Sequence, residues 1–199
     1  MYIFDKLDWK KHFGIVLDEQ DIKAAGIFPW NNMREADPIF PGKTVEDVKF
    51  FFLALERFGK DYLTILQWHK LLPPNEHPRI NCEDNNPWFA SQDFATKKAY
   101  RTDWSQIYIQ PFPNSEKMTG KEVAENYPET QIISALELVT AEILFRVKYG
   151  RYFNTEFVDC TSDTTSTGEF VGVECDEGTG IFLFPAIEAA AAAATNGRI

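Results

Sequence analysis

Two short apolar runs near the C-terminus constrain this chain more than any other stretch. Glu169-Phe170-Val171-Gly172-Val173-Glu174-Cys175 and Ile181-Phe182-Leu183-Phe184 flank the turn sequence Asp176-Glu177-Gly178-Thr179-Gly180. Period-2 runs on both sides of a Gly-containing turn read as a β-hairpin. The preceding run Thr161-Ser162-Asp163-Thr164-Thr165-Ser166-Thr167-Gly168 has the composition of a turn region. Alternate side chains of a strand point to opposite faces. If Val171, Val173, Cys175, Ile181 and Leu183 face a core, then Phe170, Gly172, Glu174, Phe182 and Phe184 face outward. Three outward phenylalanines make an uncommon solvent face, and a clustered apolar surface marks a contact site.

The rest of the chain reads as scaffold. Asp18 is an N-cap for a short helix that Gly26 stops, and residues 31–43, with Pro38, Pro41 and Gly42, form a loop. Val45, Val48, Phe51, Phe52 and Leu55 recur at helical spacing between Thr44 and Gly59, which predicts a helix there. A second helix, capped by Asp61 and ended by Pro73-Pro74, would complete a helical hairpin over 44–72. This gives a helical N-terminal region over 1–78 and a second domain over 79–199. Residues 73–120 are loop-rich and aromatic, with one alternating strand over 105–110; Trp88, Phe89, Phe94, Tyr100 and Trp104 read as packing rather than as a sugar platform. Ser134 and Glu137 form a capping box for a helix that Gly150 closes, with Glu142 and Arg146 as an i,i+4 pair.

Composition removes several function classes. The formal net charge of −10 opposes nucleic-acid binding, which relies on Lys and Arg against phosphates. Residues 151–199 hold two basic and eight acidic side chains, so most of the surplus lies in the C-terminal quarter. Cys82, Cys160 and Cys175 show no C-x-x-C spacing and are expected as buried thiols. His69 and the other two histidines lack partners at metal-ligand spacing, and no D-x-[DN]-x-[DN]-G loop occurs, so no metal or other cofactor is expected. No Ser–His pairing suggests a catalytic triad. The N-terminus has no apolar signal-peptide core and no run of about 18 apolar residues occurs, so no membrane span is expected and the cytoplasm is the expected location.

Two stretches carry a family resemblance. Tyr127 to Gly150, a Pro-containing turn leading into a helix, resembles the helix-entry region of C-type-lectin-fold domains of the formylglycine-generating-enzyme type. Cys160-Thr161-Ser162-Asp163 through Gly168-Glu169-Phe170-Val171-Gly172-Val173 resembles their S-x-x-x-x-x-G-x-x-V-x-V segment. Some proteins of this group are the variable proteins of diversity-generating retroelements, whose C-terminal part is diversified to bind different ligands. The resemblance spans about residues 127–185 and implies an α+β, C-type-lectin-like fold with short antiparallel strands after the helical N-terminal region. It also implies a non-catalytic protein that binds a protein or other macromolecule through a variable segment over 152–196. The implied variable face comprises Asn154, Glu156, Asp159, Thr161, Phe170, Gly172, Glu174, Asp176, Glu177, Phe182, Phe184, Ala186 and Glu188. Two departures stand out. Cys160 and Cys175 do not form the enzymes' active-site cysteine pair, and the tail Ala186-Ile187-Glu188 with its polyalanine run lacks an aromatic closing strand. The alternatives are a related oxidase using copper or thiol chemistry at Cys160 or Cys175, and a structural protein that forms homo-oligomers through the acidic, aromatic face.

Overall fold

A helix buried on nearly every side holds the molecule together, and its sequence explains why. The structure is a computed structural model that describes the chain apart from residues 29, 74, 83–86, 98–100, 116, 117, 119, 129, 187–191, 194, 198 and 199; at 120, 121, 124, 192, 193 and 195–197 it describes the backbone alone. In chain order the elements are β1 (Tyr2–Phe4), α1 (Lys6–Phe13), α2 (Glu19–Ala24), α3 (Val45–Val48), β2 (Lys49–Ala54), β3 (Arg57–Phe58), β4 (Asp61–Tyr62) and α4 (Ile65–Leu71). There follow α5 (Asp93–Thr96), β5 (Asp103–Tyr108), α6 (Gly120–Asn126), β6 (Thr130–Ile132) and α7 (Ala135–Tyr149). The C-terminal part adds β7 (Asp159–Thr164), β8 (Phe170–Asp176), β9 (Gly180–Ala186), β10 (Ala192–Ala193) and β11 (Thr195–Gly197). The fold is α+β, with small, mainly antiparallel sheets.

α7 has the capping box expected of it: Ser134 Oγ accepts from the Glu137 amide at 3.3 Å, and Glu137 returns to the Ser134 amide at 3.0 Å. Gly150 ends it at φ 77°, in the left-handed region that favours glycine. Consecutive residues from Leu138 to Phe145 are buried, so no face is left for solvent over those turns. α7 packs against β1 and β2 of one sheet and against β7 and β8 of another.

The first of those sheets, in the order β1-β2-β5, replaces the predicted helical hairpin over 44–72. Thr44 does start a helix, and Asp47 accepts from its amide at 2.9 Å, but the helix is the single turn α3. Lys49-Phe50-Phe51-Phe52-Leu53-Ala54 then becomes the central strand, parallel to β1 and antiparallel to β5. Residues 50–55 are apolar at every position and fit a 3.6 period as readily as any other, so the spacing of Phe51, Phe52 and Leu55 with Val45 and Val48 was no measure of helix. A strand buried on both faces has no alternation to show. Gly59 lies between β3 and β4 rather than ending a helix, Asp61 lies in β4, and Thr64 caps α4 by accepting from the Gln67 amide at 3.0 Å. Residues 1–78 are therefore not a helical region apart. β2 pairs with β5 across the expected boundary, and one core cluster joins Phe4, Trp9 and Phe52 to Phe145, Val173 and Leu183.

The second sheet has the order β10-β7-β8-β9. The hairpin forms in the expected phase: Glu174 lies opposite Phe182 and Gly172 opposite Phe184, while Val171, Val173, Cys175, Ile181 and Leu183 are buried. The Thr161–Gly168 run is not all turn. Its first four residues belong to β7, whose pairing with β8 is irregular between Cys160 and Thr164. β9 is an edge strand, yet its backbone is occupied. Ile181 N donates to Arg79 O at 2.9 Å, Ile181 O accepts from Asn81 N at 2.7 Å, and Leu183 O accepts from the Trp88 indole at 2.8 Å. Pro185 has no N–H to offer.

Candidate functional site: the outer face of the hairpin

Pairing and burial define two faces of the β8–β9 hairpin. The inner face, Val171, Val173, Cys175, Ile181 and Leu183, joins the core cluster. The outer face carries Phe170, Gly172, Glu174, Phe182 and Phe184. Phe170 is 42% exposed, Glu174 is exposed, and Phe182 and Phe184 are half-buried. Neither Phe182 nor Phe184 belongs to the core cluster. Gly172 works as a seat: a Cβ there would lie 2.9 Å from Phe184 Cε2 and 3.2 Å from a Val158 methyl, so the Phe184 ring rests across the strand where a side chain would be. Thr164 pairs with Phe170 and is exposed beside it, although its Ser/Thr-rich surroundings read as turn in the sequence.

The hairpin tip is tied to the scaffold. Glu177 accepts from the Tyr152 amide at 2.9 Å and pairs with Arg146 at the end of α7. Arg146 therefore serves the tip, and the expected Glu142–Arg146 pair does not form; Glu142 is buried and accepts from the amides of Phe153 and Asn154 at 3.1 and 3.3 Å. Arg79 Nε donates to Thr179 O at 2.9 Å, and His77 Nε2 lies 3.2 Å from Gly178 O. Asp176 accepts from the amides of Gly178 and Thr179 at 2.9 and 2.7 Å and from the Thr179 hydroxyl at 2.6 Å, and these bonds hold its carboxyl below the usual range.

The thirteen residues expected on the variable face thus separate. Phe170, Glu174, Phe182 and Phe184 stand together on the outer face. Asp176 and Glu177 are exposed but committed to the turn, and Glu156 is exposed in the loop before β7. Asn154, Asp159, Thr161, Gly172 and Ala186 are buried and cannot be displayed. The inward positions of β7 are polar, which hid their burial from a hydropathy argument. Thr161 donates to Val171 O at 3.0 Å, and Asp163 accepts from the first amide of α7 at 2.9 Å and pairs with Lys97. Glu188 lies outside the described residues.

Buried acids and thiols lie within and around the sheet. Asp159 accepts from Asn154 Nδ2 at 2.5 Å, yet burial pushes its carboxyl up to about 7. Burial also raises Glu142 well above the carboxylate range, against the pull of the two amides it accepts from. Cys175, beside Glu142, is raised well above a normal thiol by burial and by those acids, and Cys160 is pushed up to about 11 by burial and by Asp159. Cys160 pairs with Gly172, on the outer face, whereas Cys175 faces inward, so a sheet separates them. Two protonated thiols on opposite faces make neither a nucleophile nor a redox pair. His69, which showed no partner in the sequence, has Cys82 Sγ 3.7 Å from its Nε2, and burial lowers its pKa. Among the described residues no group of three His, Cys, Asp or Glu side chains could hold a metal ion.

No protein-family model, no curated protein and no solved structure matches the chain.

Proposed function

We propose that this chain is a non-catalytic binding protein that takes a protein or other macromolecular ligand through the outer face of the β8–β9 hairpin. The observation that carries this reading is the placement of Phe170, Phe182 and Phe184 on one sheet face, outside the core, with Phe170 42% exposed. Aromatic anchors on a fixed frame are the usual source of contact energy, and a neighbouring charge selects the partner. Glu174 is that charge, so the reading favours a ligand with a basic or polar spot beside an apolar one. The stapled tip supports display of these residues on rigid backbone. The finer reading is that of a C-type-lectin-like scaffold whose C-terminal segment is diversified by a retroelement. It rests on the motif resemblance of residues 127–185, narrowed to the four side chains that share the outer face. The net charge of −10 argues against nucleic acid as the ligand.

A photo-crosslinking amino acid at position 182 in the native host, compared with one at exposed Lys10, tests the binding face. A discrete adduct from position 182 alone is expected, and it should vanish with Phe170→Ser. Equal labelling from both positions removes the reading. The diversification part has its own test. A near-copy of the DNA for residues 152–196, differing mainly at adenines and close to a reverse-transcriptase gene, is expected; its absence removes that part and leaves the binding face standing.

The same three rings also suit a subunit contact. Light scattering separates the two readings: a dimer that Phe170→Ser converts to monomer assigns the face to a second copy, whereas a monomer leaves it for a different partner.

A further inference from the structure

A cleft of about 310 Å3 opens where the N-terminal strand, the end of α2, Phe28 and Trp30 meet. It shares no residue with the hairpin face. Phe28 is buried in its wall and touches two indoles at steep angles, Trp30 at 4.5 Å and 63° and Trp104 at 4.6 Å and 75°. Edge-to-face contacts of this kind fix ring orientation. Trp30 is nonetheless 60% exposed, and Ile22 beside it in the wall is also exposed. An indole anchored at one edge and open to a cavity is a preformed ring platform. Among the described residues the charges in the wall are Asp5 and Lys6. Asp5 is committed as the N-cap of α1, accepting from the amides of Leu7 and Asp8 at 2.7 and 3.2 Å. The Lys6 ammonium has no acidic partner among the described residues.

We propose that this cleft is a binding site for a small planar aromatic anion, a ring compound bearing a carboxylate or sulfonate. Its ring system lies against Trp30 and Trp104, and its anionic group meets Lys6. The volume is at the lower end of ligand pockets, about 300–1,000 Å3, which suits one to three fused or linked rings. Mostly apolar walls with a few placed polar groups are the usual make-up of such sites.

The test uses two probes that differ in charge, 1-anilinonaphthalene-8-sulfonate and uncharged N-phenyl-1-naphthylamine, each titrated by fluorescence into the full chain. One saturable site is expected for both. Trp30→Ala should weaken both by about tenfold through lost ring contact. Lys6→Gln should weaken the sulfonate probe by about threefold at low salt and leave the neutral probe unchanged. Phe170→Ser should change neither. Trp30 is largely exposed, so its variant is expected to fold, with near-UV circular dichroism as the check; Ile22→Asp, which should weaken both probes, serves if it does not. Undiminished affinity in the wall variants, loss on Phe170→Ser, or equal weakening of both probes by Lys6→Gln overturns the proposal.

Discussion

Burial keeps the Asp159 carboxyl protonated up to about pH 7, because ionisation there would place a charge in the core that the Asn154 donor does not offset. In the unfolded chain the same group ionises near pH 4. The folded state therefore holds the extra proton between those values, and stability falls as pH rises through that window. At about 1.4 kcal/mol per unit the loss is on the order of 4 kcal/mol. Asp159→Asn removes it and keeps an acceptor for Asn154. Urea unfolding should show this variant more stable than the parent by a few kcal/mol at pH 8 and close to it at pH 4. A second residue test concerns Gly180, at φ 103°, where a Cβ would lie 2.6 Å from the Arg79 carbonyl. Backbone cannot step aside as a side-chain end can, so Gly180→Ala is expected to cost about 2–4 kcal/mol. Gly168→Ala, at φ 87° with open space around it, should cost about 1 kcal/mol in the same assay.

At the scale of elements, caps and alternation were legible while continuous apolar runs were not. Ser134 and Gly150 bound α7 because local hydrogen bonds decide a helix end, and local sequence contains those partners. Ser134→Ala should lower the unfolding free energy by about 1 kcal/mol, measured by urea unfolding. The hairpin was legible because one face is buried and one is not, so Val171 and Val173 alternate with Phe170 and Gly172. β2 was not, because Phe50, Phe51 and Phe52 are all buried and its place between β1 and β5 depends on residues some 50 positions away in either direction. For the candidate face, period 2 gave Phe170, Glu174, Phe182 and Phe184. Polarity misplaced Asp159 and Thr161, whose burial depends on amide and hydroxyl partners brought in by folding. The cleft at Trp30 was invisible for the same reason, since its walls come from four separate stretches of the chain.

At the scale of the molecule, both sheets depend on one helix. Phe145 on α7 is fully buried and meets Tyr2, Phe50, Tyr149 and Phe153 through ring contacts of 4.6–5.5 Å. Phe145→Ala should cost about 3–5 kcal/mol. Circular dichroism and tryptophan fluorescence should still report a single coincident transition, since one core cluster runs through both sheets and α7. Separate transitions would mean two folding units. The occupied edge of β9 bears on how the hairpin can meet another molecule. With Ile181 tied to Arg79 and Asn81, Leu183 O taken by Trp88, and Pro185 silent as a donor, there is little place for an incoming chain to zip onto. A main-chain docking mode would accept many sequences alike. On the binding role proposed above, what remains is a text written only in side chains, and exchanging four letters of it would redirect the protein while the frame beneath stays unread and unchanged.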